Sequence, residues 1–547
     1  MKKKYLLNII LCFLICSYTV AQITNKGEPL SWSQINLKSS MSIQMESIDM
    51  VAIQKEDAVN DQDLSKPWRF GYEFSVDLGM DDFGIWDELP NGDRIWRINI
   101  TSPGAKSLNF VFDKYKVPVG GSVYLYNNDR SDLLGAYTNI FNREDEMLGT
   151  WLVEGDNVWI EYYEPKNVIG QGYLNIGKVV HGYRIKTHAD IAKSLNDSED
   201  CNLDVDCSIG TDFDDLKNRL KHSVGFIVLN GFVCSGTLIN NTDNDKAPYF
   251  LTANHCDSGS HSTWAFRFNW ISPDPVCADT QNSTDASINQ TTSGATVLAA
   301  NANTDVKLLQ LDGGLGSDWD LEWAGWDRTE ETPNSSMGIH HPSGDIMKVS
   351  RDDDSPLKGS INFNGDPTTQ VWAISGSGYG NGNGWDVGVT EGGSSGSALF
   401  DQNGRIFGQL AGGSAACSGT NDNGGYDVYG RFGVSWDDNN FGQWLDPADT
   451  GLTRLNMYSQ VLSTSEEGLS DLLEVFPNPT SGLLKITNRT YADISYTIYS
   501  VLGKTMKKGS LSNFNNEIDL SSLNNGIYII RINQGDASYF RKIILSK

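Results

Sequence analysis

The chemistry open to this chain sits in a few short clusters. In "TEGGSSGSALF", Thr390 to Phe400, glycines bracket the pair Ser394 and Ser395, and Ser397 follows. A serine hydroxyl is a poor nucleophile at neutral pH. It needs an adjacent base, a carboxylate to orient that base, and donors for the oxyanion that forms on attack. With seven histidines in the chain, the search for a base is short. His255 stands in "YFLTANHCDSG", after a strand-like run and beside Cys256, while Cys234 precedes it in "FVCSGTLI". The rival bases, His340 and His341 in "MGIHHPSGD", are neighbours; on an extended strand they point to opposite faces and cannot act as a pair, so structural or loop-ordering roles are expected. For the acid, Asp305 in "NANTDVKLLQL" precedes an apolar run, at the lip of a strand from which it can reach the imidazole. In a Gly-x-Ser-Gly turn the amides of the first glycine and of the serine point into one pocket. That makes Ser395 the nucleophile, gives the oxyanion site to Gly393 and Ser395, and leaves Ser394 and Ser397 as turn residues.

Several elements must position these groups. The leader "MKKKYLLNIILCFLICSYTVAQ" has lysines, a short apolar run and small residues at Thr19 and Ala21, the pattern of an export signal cut after Ala21. No later segment is apolar over the length of a membrane span. Of eight cysteines, Cys12 and Cys16 fall in that leader; the other six, Cys201, Cys207, Cys234, Cys256, Cys277 and Cys417, crowd the middle of the chain. An even number in an exported chain implies disulfides, although spacing leaves the pairing open. Before them, segments such as "SLNFVFDKYKVP" and "NVWIEYYEP" predict short alternating strands. The middle region reads as all-β, with runs such as "SVGFIVLNGFVCSGTLI" and "RIFGQLAGG", and "FGQWLDP" is suited to a short helix. A Ser/Glu linker then leads to alternating strands that suggest a small β-sandwich. The formal net charge of −27 and the lack of a basic run exclude nucleic acid as a partner.

Together "CNLDVDC", "VCSGTLI", "LTANHC", "GIHHPSGD", "VTEGGSSGSALF", "GQLAGGSAAC", "YDVYGRF" and "WLDP" resemble bacterial lysyl endopeptidases, a branch of the chymotrypsin-like serine proteases, over about residues 198 to 450. The resemblance implies a double β-barrel with the triad His255, Asp305 and Ser395, and the disulfides Cys201–Cys417, Cys207–Cys277 and Cys234–Cys256. Trypsins keep an aspartate six residues before the nucleophile, where this chain has Val389. The lysyl enzymes instead use an aspartate before "YGR", which aligns with Asp427. They also stack a histidine on a tryptophan; Trp372 matches the tryptophan, but Ala411 stands where the histidine would be, which leaves room for Arg beside Lys. The segments "FPNPTSG", "IYSVLGK" and "LNNGIYIIRI" resemble type A sorting domains of the type IX secretion system.

The expected organisation is a signal peptide (1–21), a β-rich propeptide (22–193), a chymotrypsin-like serine protease domain (194–455), a linker (456–471) and a sorting domain (472–547), with propeptide cleavage at Lys193. The expected product is a secreted, monomeric endopeptidase that cuts polypeptides after Lys, with Arg left open, without metal or cofactor, its export served by the type IX machinery. Another side-chain preference, Arg or Glu, is the alternative; a noncatalytic protease-fold binding protein is the rival from another class.

Overall fold

A computed structural model of the 547-residue chain describes residues 27–34, 36–39, 42–62, 66–185, 198–278, 283–284, 290–362, 368–419, 421–459, 473–488, 494–501, 503–511, 516–534 and 537–547. The leader, Lys193 and most of the linker lie outside the described residues.

The segment before the cysteines folds as two sheets. One is six-stranded and built around Arg94–Thr101 and Asn157–Glu164; the other is five-stranded around Ser107–Lys116 and Tyr173–Gly182. Their inward residues, among them Ile98, Leu125, Ile160, Phe110 and Ile176, form one apolar core. A helix that the strand-rich pattern did not suggest, Met50–Asn60, is capped by Asp49, whose carboxylate accepts from the amides of Val51 and Ala52.

Two further sheets build the middle region. The run "SVGFIVLNGFVCSGTLI" folds into a hairpin, β1 (Val224–Leu229) and β2 (Phe232–Leu238), turned at Asn230-Gly231 with Asn230 at φ 61°. They are joined by β3 (Tyr249–Ala253), β4 (Ala265–Phe268), β5 (Gln290–Ser293), β6 (Ala295–Asn301) and β7 (Val306–Leu311). The order is β5-β4-β1-β2-β3-β7-β6, antiparallel throughout. The two edge strands, β5 and β6, follow each other through Gly294, so the sheet curls into a barrel filled by Ile227, Leu238, Phe250, Phe266 and Leu309. This sheet is eight-stranded because Trp68–Arg69, from the N-terminal unit, pairs with β2.

The second sheet holds β8 (Ser336–His340), β9 (Lys348–Asp352), β10 (Leu357–Ile361), β11 (Thr369–Ile374), β12 (Ala398–Asp401), β13 (Arg405–Gly413) and β14 (Asp427–Arg431). Their order is β9-β8-β12-β13-β14-β11-β10, and the inward side chains include Met337, Val349, Phe400 and Ile406. The architecture is an all-β double barrel, as expected, and "FGQWLDP" supplies the short helix Gly442–Leu445. Disulfides join Cys201 to Cys417, Cys207 to Cys277 and Cys234 to Cys256, the pairs that the resemblance implies.

At the C-terminus, a three-stranded and a four-stranded sheet enclose Leu484, Ile486, Ile498, Ile530 and Ile543, forming a small sandwich. No helix among the described residues is long and apolar enough to cross a membrane.

Cys201–Cys417 closes the largest loop, spanning 216 residues in sequence. A Cys201→Ser/Cys417→Ser double variant is expected to lose about 2–4 kcal/mol of stability, read as a lower midpoint in denaturant unfolding.

Candidate active site

The sequence places His255 two residues beyond the end of β3 and Asp305 one residue before β7. Because Ala253 and Val306 are partners across β3 and β7, the two side chains emerge side by side at one end of the first barrel. The Asp305 carboxylate accepts from the His255 amide at 2.8 Å through Oδ1 and lies 2.7 Å from the imidazole Nδ1 through Oδ2. A carboxylate at that distance fixes the proton on Nδ1 and leaves Nε2 as the acceptor. Nε2 is buried without a protein hydrogen-bond partner among the described residues. Asp305 adopts φ 52°, a left-handed conformation that a short polar side chain tolerates. Its carbonyl accepts from the Asn254 amide, and the Thr304 carbonyl beside it accepts from Gln409 Nε2, so the loop is tied to both barrels.

Ser395 lies in the turn that enters β12. Gly393 and Gly396 take φ 95° and 81°, values that glycine reaches without steric cost. Ser235 on β2 knits this turn to the first barrel: its amide donates to the Ser395 carbonyl at 2.8 Å and its hydroxyl to the Gly393 carbonyl at 2.9 Å. Ser394 points inward, its Oγ accepting from the Glu391 amide and lying 2.8 Å from His340 Nδ1. Among the described residues, neither the Gly393 nor the Ser395 amide donates to a protein acceptor.

His340 and His341 face opposite ways, as adjacent residues leaving a strand must. His340 meets Ser394; His341 lies 3.0 Å from the Asp345 carbonyl and stacks on Trp270. Burial pushes both imidazoles down to about 3, so they are neutral packing and hydrogen-bonding groups. Cys234, His255 and Cys256 cluster closely enough to suggest a metal site, but both sulfurs belong to one disulfide.

A cavity of about 200 Å³ opens beside Ser395, lined by Thr390, Gly392, Leu410, Gly413 and Asp427. Asp427 is buried, and its Oδ2 accepts from Trp385 Nε1 at 2.7 Å and Thr390 Oγ1 at 2.6 Å. Burial pushes its carboxyl up to about 6, against the pull of those two donors. Sequence reasoning missed Trp385, Thr390 and Ser235, which carry no motif of their own. Trp372 is not brought to this cavity. It is buried at the centre of β11, packed edge-on against Phe407 at 5.6 Å with Lys358 and Arg431 over its ring. Ala411 occupies a bulge in β13 opposite β14 and adds no side chain to the cavity lining.

A serine on a glycine-framed turn beside a carboxylate-held imidazole, at the junction of two β-barrels, marks a serine-type peptidase. Residues 195–430 match the family model described as lysyl endopeptidase, C-terminal domain, and residues 474–546 match the secretion system C-terminal sorting domain. The lysyl endopeptidase of Pseudomonas aeruginosa is 26% identical over 352 residues, covering 61% of this chain and 71% of that protein. Solved structures similar to the chain include an inactive form of Rv3671c from Mycobacterium tuberculosis H37Rv, at 17% identity and a TM-score of 0.27 over 42% of this chain and 91% of that one. The MamO protease domain from Magnetospirillum magneticum is another, at 11% identity and a TM-score of 0.27 over 40% and 97%. The chain is thus a lysyl endopeptidase-like peptidase that carries a secretion sorting domain and is exported.

The turn tolerates no side chain at Gly396: a Cβ there would lie 2.2 Å from Thr252 Oγ1 and 2.6 Å from the Ala253 amide nitrogen. Gly396→Ala is expected to cost about 2–3 kcal/mol and to lower kcat by moving Ser395 away from β3. Thermal unfolding and steady-state kinetics on the same preparation check both effects.

Proposed function

We propose that the chain is a secreted serine endopeptidase that cuts after lysine, and also after arginine, with Ser395 as nucleophile, His255 as base and Asp305 as the group that orients the imidazole. In this reading His255 Nε2 takes the Ser395 proton as Oγ attacks the carbonyl, and the amides of Gly393 and Ser395 receive the oxyanion. The imidazolium then protonates the departing amine, and water, activated by the same base, releases the acyl group.

The observation that carries the side-chain preference is the buried Asp427 carboxylate beside a cavity that opens on Ser395. At about 30 Å³ per water, the cavity has room for roughly seven waters, enough for a long aliphatic side chain. A cation entering it pairs with a charge whose burial is otherwise costly, whereas a carboxylate or an apolar group leaves that charge uncompensated. Asp427 holds a point charge rather than a paired fork of acceptors, because Oδ2 is already engaged by Trp385 and Thr390. That arrangement suits an ammonium and does not bar a guanidinium. The 26% identity to a lysyl endopeptidase supports the same preference. Residues 22–193 are assigned as a propeptide released at Lys193, and the C-terminal sandwich as the address read by the type IX machinery.

Ser395→Ala is expected to abolish turnover of a panel of peptides ending in Lys, Arg, Glu or Phe. In the parent enzyme the Lys and Arg members should lead, and dominant cleavage after Glu would overturn the role of Asp427. Asp427→Asn should lower kcat/KM for the lysyl peptide by about a thousandfold, as expected when a buried charge loses its partner.

The pH dependence has a definite sign. Burial raises the Asp427 carboxyl to about 6, so protonation removes the charge as pH falls through that value. KM for lysyl peptides is therefore expected to rise about tenfold per pH unit below 6. Asp427→Asn should flatten that rise.

Maturation is expected to be self-catalysed, since the cleaved residue is itself a lysine. N-terminal sequencing of the parent and of pure Ser395→Ala protein checks this, and maturation of the variant at the same bond would exclude it.

A further inference from the structure

A lysine stands beside the His255–Asp305 pair without a part in the chemistry proposed above. Lys307 lies on β7, two residues after Asp305, paired with Thr252 on β3 and Ala300 on β6. Its side chain is only 2% exposed. An ammonium withdrawn from water is costly unless other acceptors replace the water. Here they come from the loop that carries the imidazole. Lys307 Nζ donates to the Cys256 carbonyl at 2.9 Å, and lies 3.2 Å from His261 Nε2 and 3.3 Å from Asp257 Oδ1. Since an ammonium can only donate, His261 Nε2 must be the acceptor and its imidazole neutral. The indole of Trp264 closes the remaining side, its ring centre 5.1 Å from Nζ. Burial pushes the ammonium below the usual lysine range, against the opposing pull of Asp257 and Asp305.

These contacts grip two consecutive residues. Residues 254–260 form neither helix nor strand, so no ladder of strand pairing holds His255 in place. Three separate anchors do. The Asp305 carboxylate takes the His255 amide at 2.8 Å, the disulfide to Cys234 holds the Cys256 sulfur, and Lys307 holds the Cys256 carbonyl. The first and last of these come from one end of β7. The acid that orients the ring and the cation that fixes the next peptide group therefore sit on one rigid element. Asp257, the carboxylate partner, is 60% exposed and offsets the buried charge only weakly. The shortest contact of the ammonium is to loop backbone, not to that carboxylate.

We infer that Lys307 is a positioning residue for the base: its ammonium clamps the peptide group that follows His255 and, with His261 as a neutral second acceptor, keeps the imidazole aimed at Ser395. This rests on the serine-peptidase reading above. Lys307 does not touch the reacting atoms. Without it the buried Cys256 carbonyl loses its donor, the loop relaxes, and His255 Nε2 drifts from the hydroxyl it must deprotonate. An ångström of drift is costly in rate, whereas the Asp427 cavity, built on the other barrel, keeps its shape. Loss of the clamp is thus a loss in kcat rather than in binding.

Steady-state kinetics on protein produced from the full chain test this, with whichever peptide of the Lys, Arg, Glu and Phe panel the parent cuts best. One form, identified by mass, is compared throughout, and circular dichroism verifies that it is folded at the assay temperature. Lys307→Met keeps most of the stem and removes the donor; kcat should fall at least about tenfold, with KM within about twofold of the parent. A lysine that only stabilises the barrel would lower the unfolding midpoint and leave kcat of the folded protein unchanged. That outcome would overturn the clamp, as would a change confined to KM. If Lys307→Met does not fold, the partly exposed His261 decides. His261→Leu withdraws the second acceptor and should lower kcat at least about threefold, while His261→Gln supplies one again and should restore most of it. Equal kcat values for those two variants would overturn the clamp. If the parent cuts no peptide, the serine-peptidase reading falls, and the clamp with it. Parental turnover beside an unimpaired Lys307→Met removes the clamp alone.

Discussion

The contact between the Gly393–Ser397 turn and the β2–β3 edge is the constraint on which the site depends. Ser395 belongs to one barrel, the His255 imidazole and the Asp305 carboxylate to the other, and nothing covalent along this turn holds them in register. Ser235 supplies the link: its backbone and hydroxyl engage Ser395 and Gly393, and the hydroxyl also accepts from the His341 amide at 3.0 Å. Gly396 lets the strands approach until only hydrogen fits. Close packing transmits errors here directly, since a displacement of one ångström between reacting atoms is costly in rate. Cys234–Cys256 brackets the same edge, tying the residue before Ser235 to the residue after His255.

In the proposed reading, recognition and chemistry draw on that one seam in different ways. The proposed triad draws on groups whose partners lie within the barrels. Asp427, in its proposed role, acts through burial: Trp385, Thr390 and the Ala415 backbone pull its carboxyl down, yet burial raises the cost of its charge until a cation arrives. A charge held this way would contribute little to folding and much to the proposed discrimination, because the cost of an unpaired buried ion falls on every wrong substrate. Thr390 joins the two functions by chain connectivity, being bonded to Asp427 and five residues before Ser395.

Much of this site could be read from the sequence because its signals are local. "GGSSGSALF" marks a turn by its glycines, "TANHC" a histidine at a strand end beside a disulfide cysteine, and "TDVKLLQL" an acid entering a strand. Each element also alternates or runs apolar in the way its strand requires. What was not legible depends on approach between distant segments. Ser235 looks like any strand serine until β2 meets the turn. Trp385 and Thr390 bond Asp427 across a separation of 42 and 37 residues, and no local pattern encodes that. Trp372, by contrast, fits the cavity by alignment but not in space, because its strand turns the indole toward Phe407. The helix Met50–Asn60 escaped notice because it lacks a clear apolar stripe and is held instead by the Asp49 cap and the Asp57–Arg69 pair.

The N-terminal unit, which supplies Lys66, Pro67 and Trp68 to the cavity lining, also packs on the first barrel. Trp151 packs edge-on against Phe226 at 5.6 Å and Trp270 at 6.3 Å, so the first barrel shares its outer apolar layer with the neighbouring sheets. Arg143 extends the join by donating to the carbonyls of Ser262 and Ser293. Packing of the N-terminal unit on the barrel and its approach to the cavity thus share one buried surface. Separation of the unit exposes Phe226 and Trp270 to water at a cost proportional to that apolar area. If residues 22–193 are released as proposed, the barrels persist on their disulfides and on a slow unfolding rate.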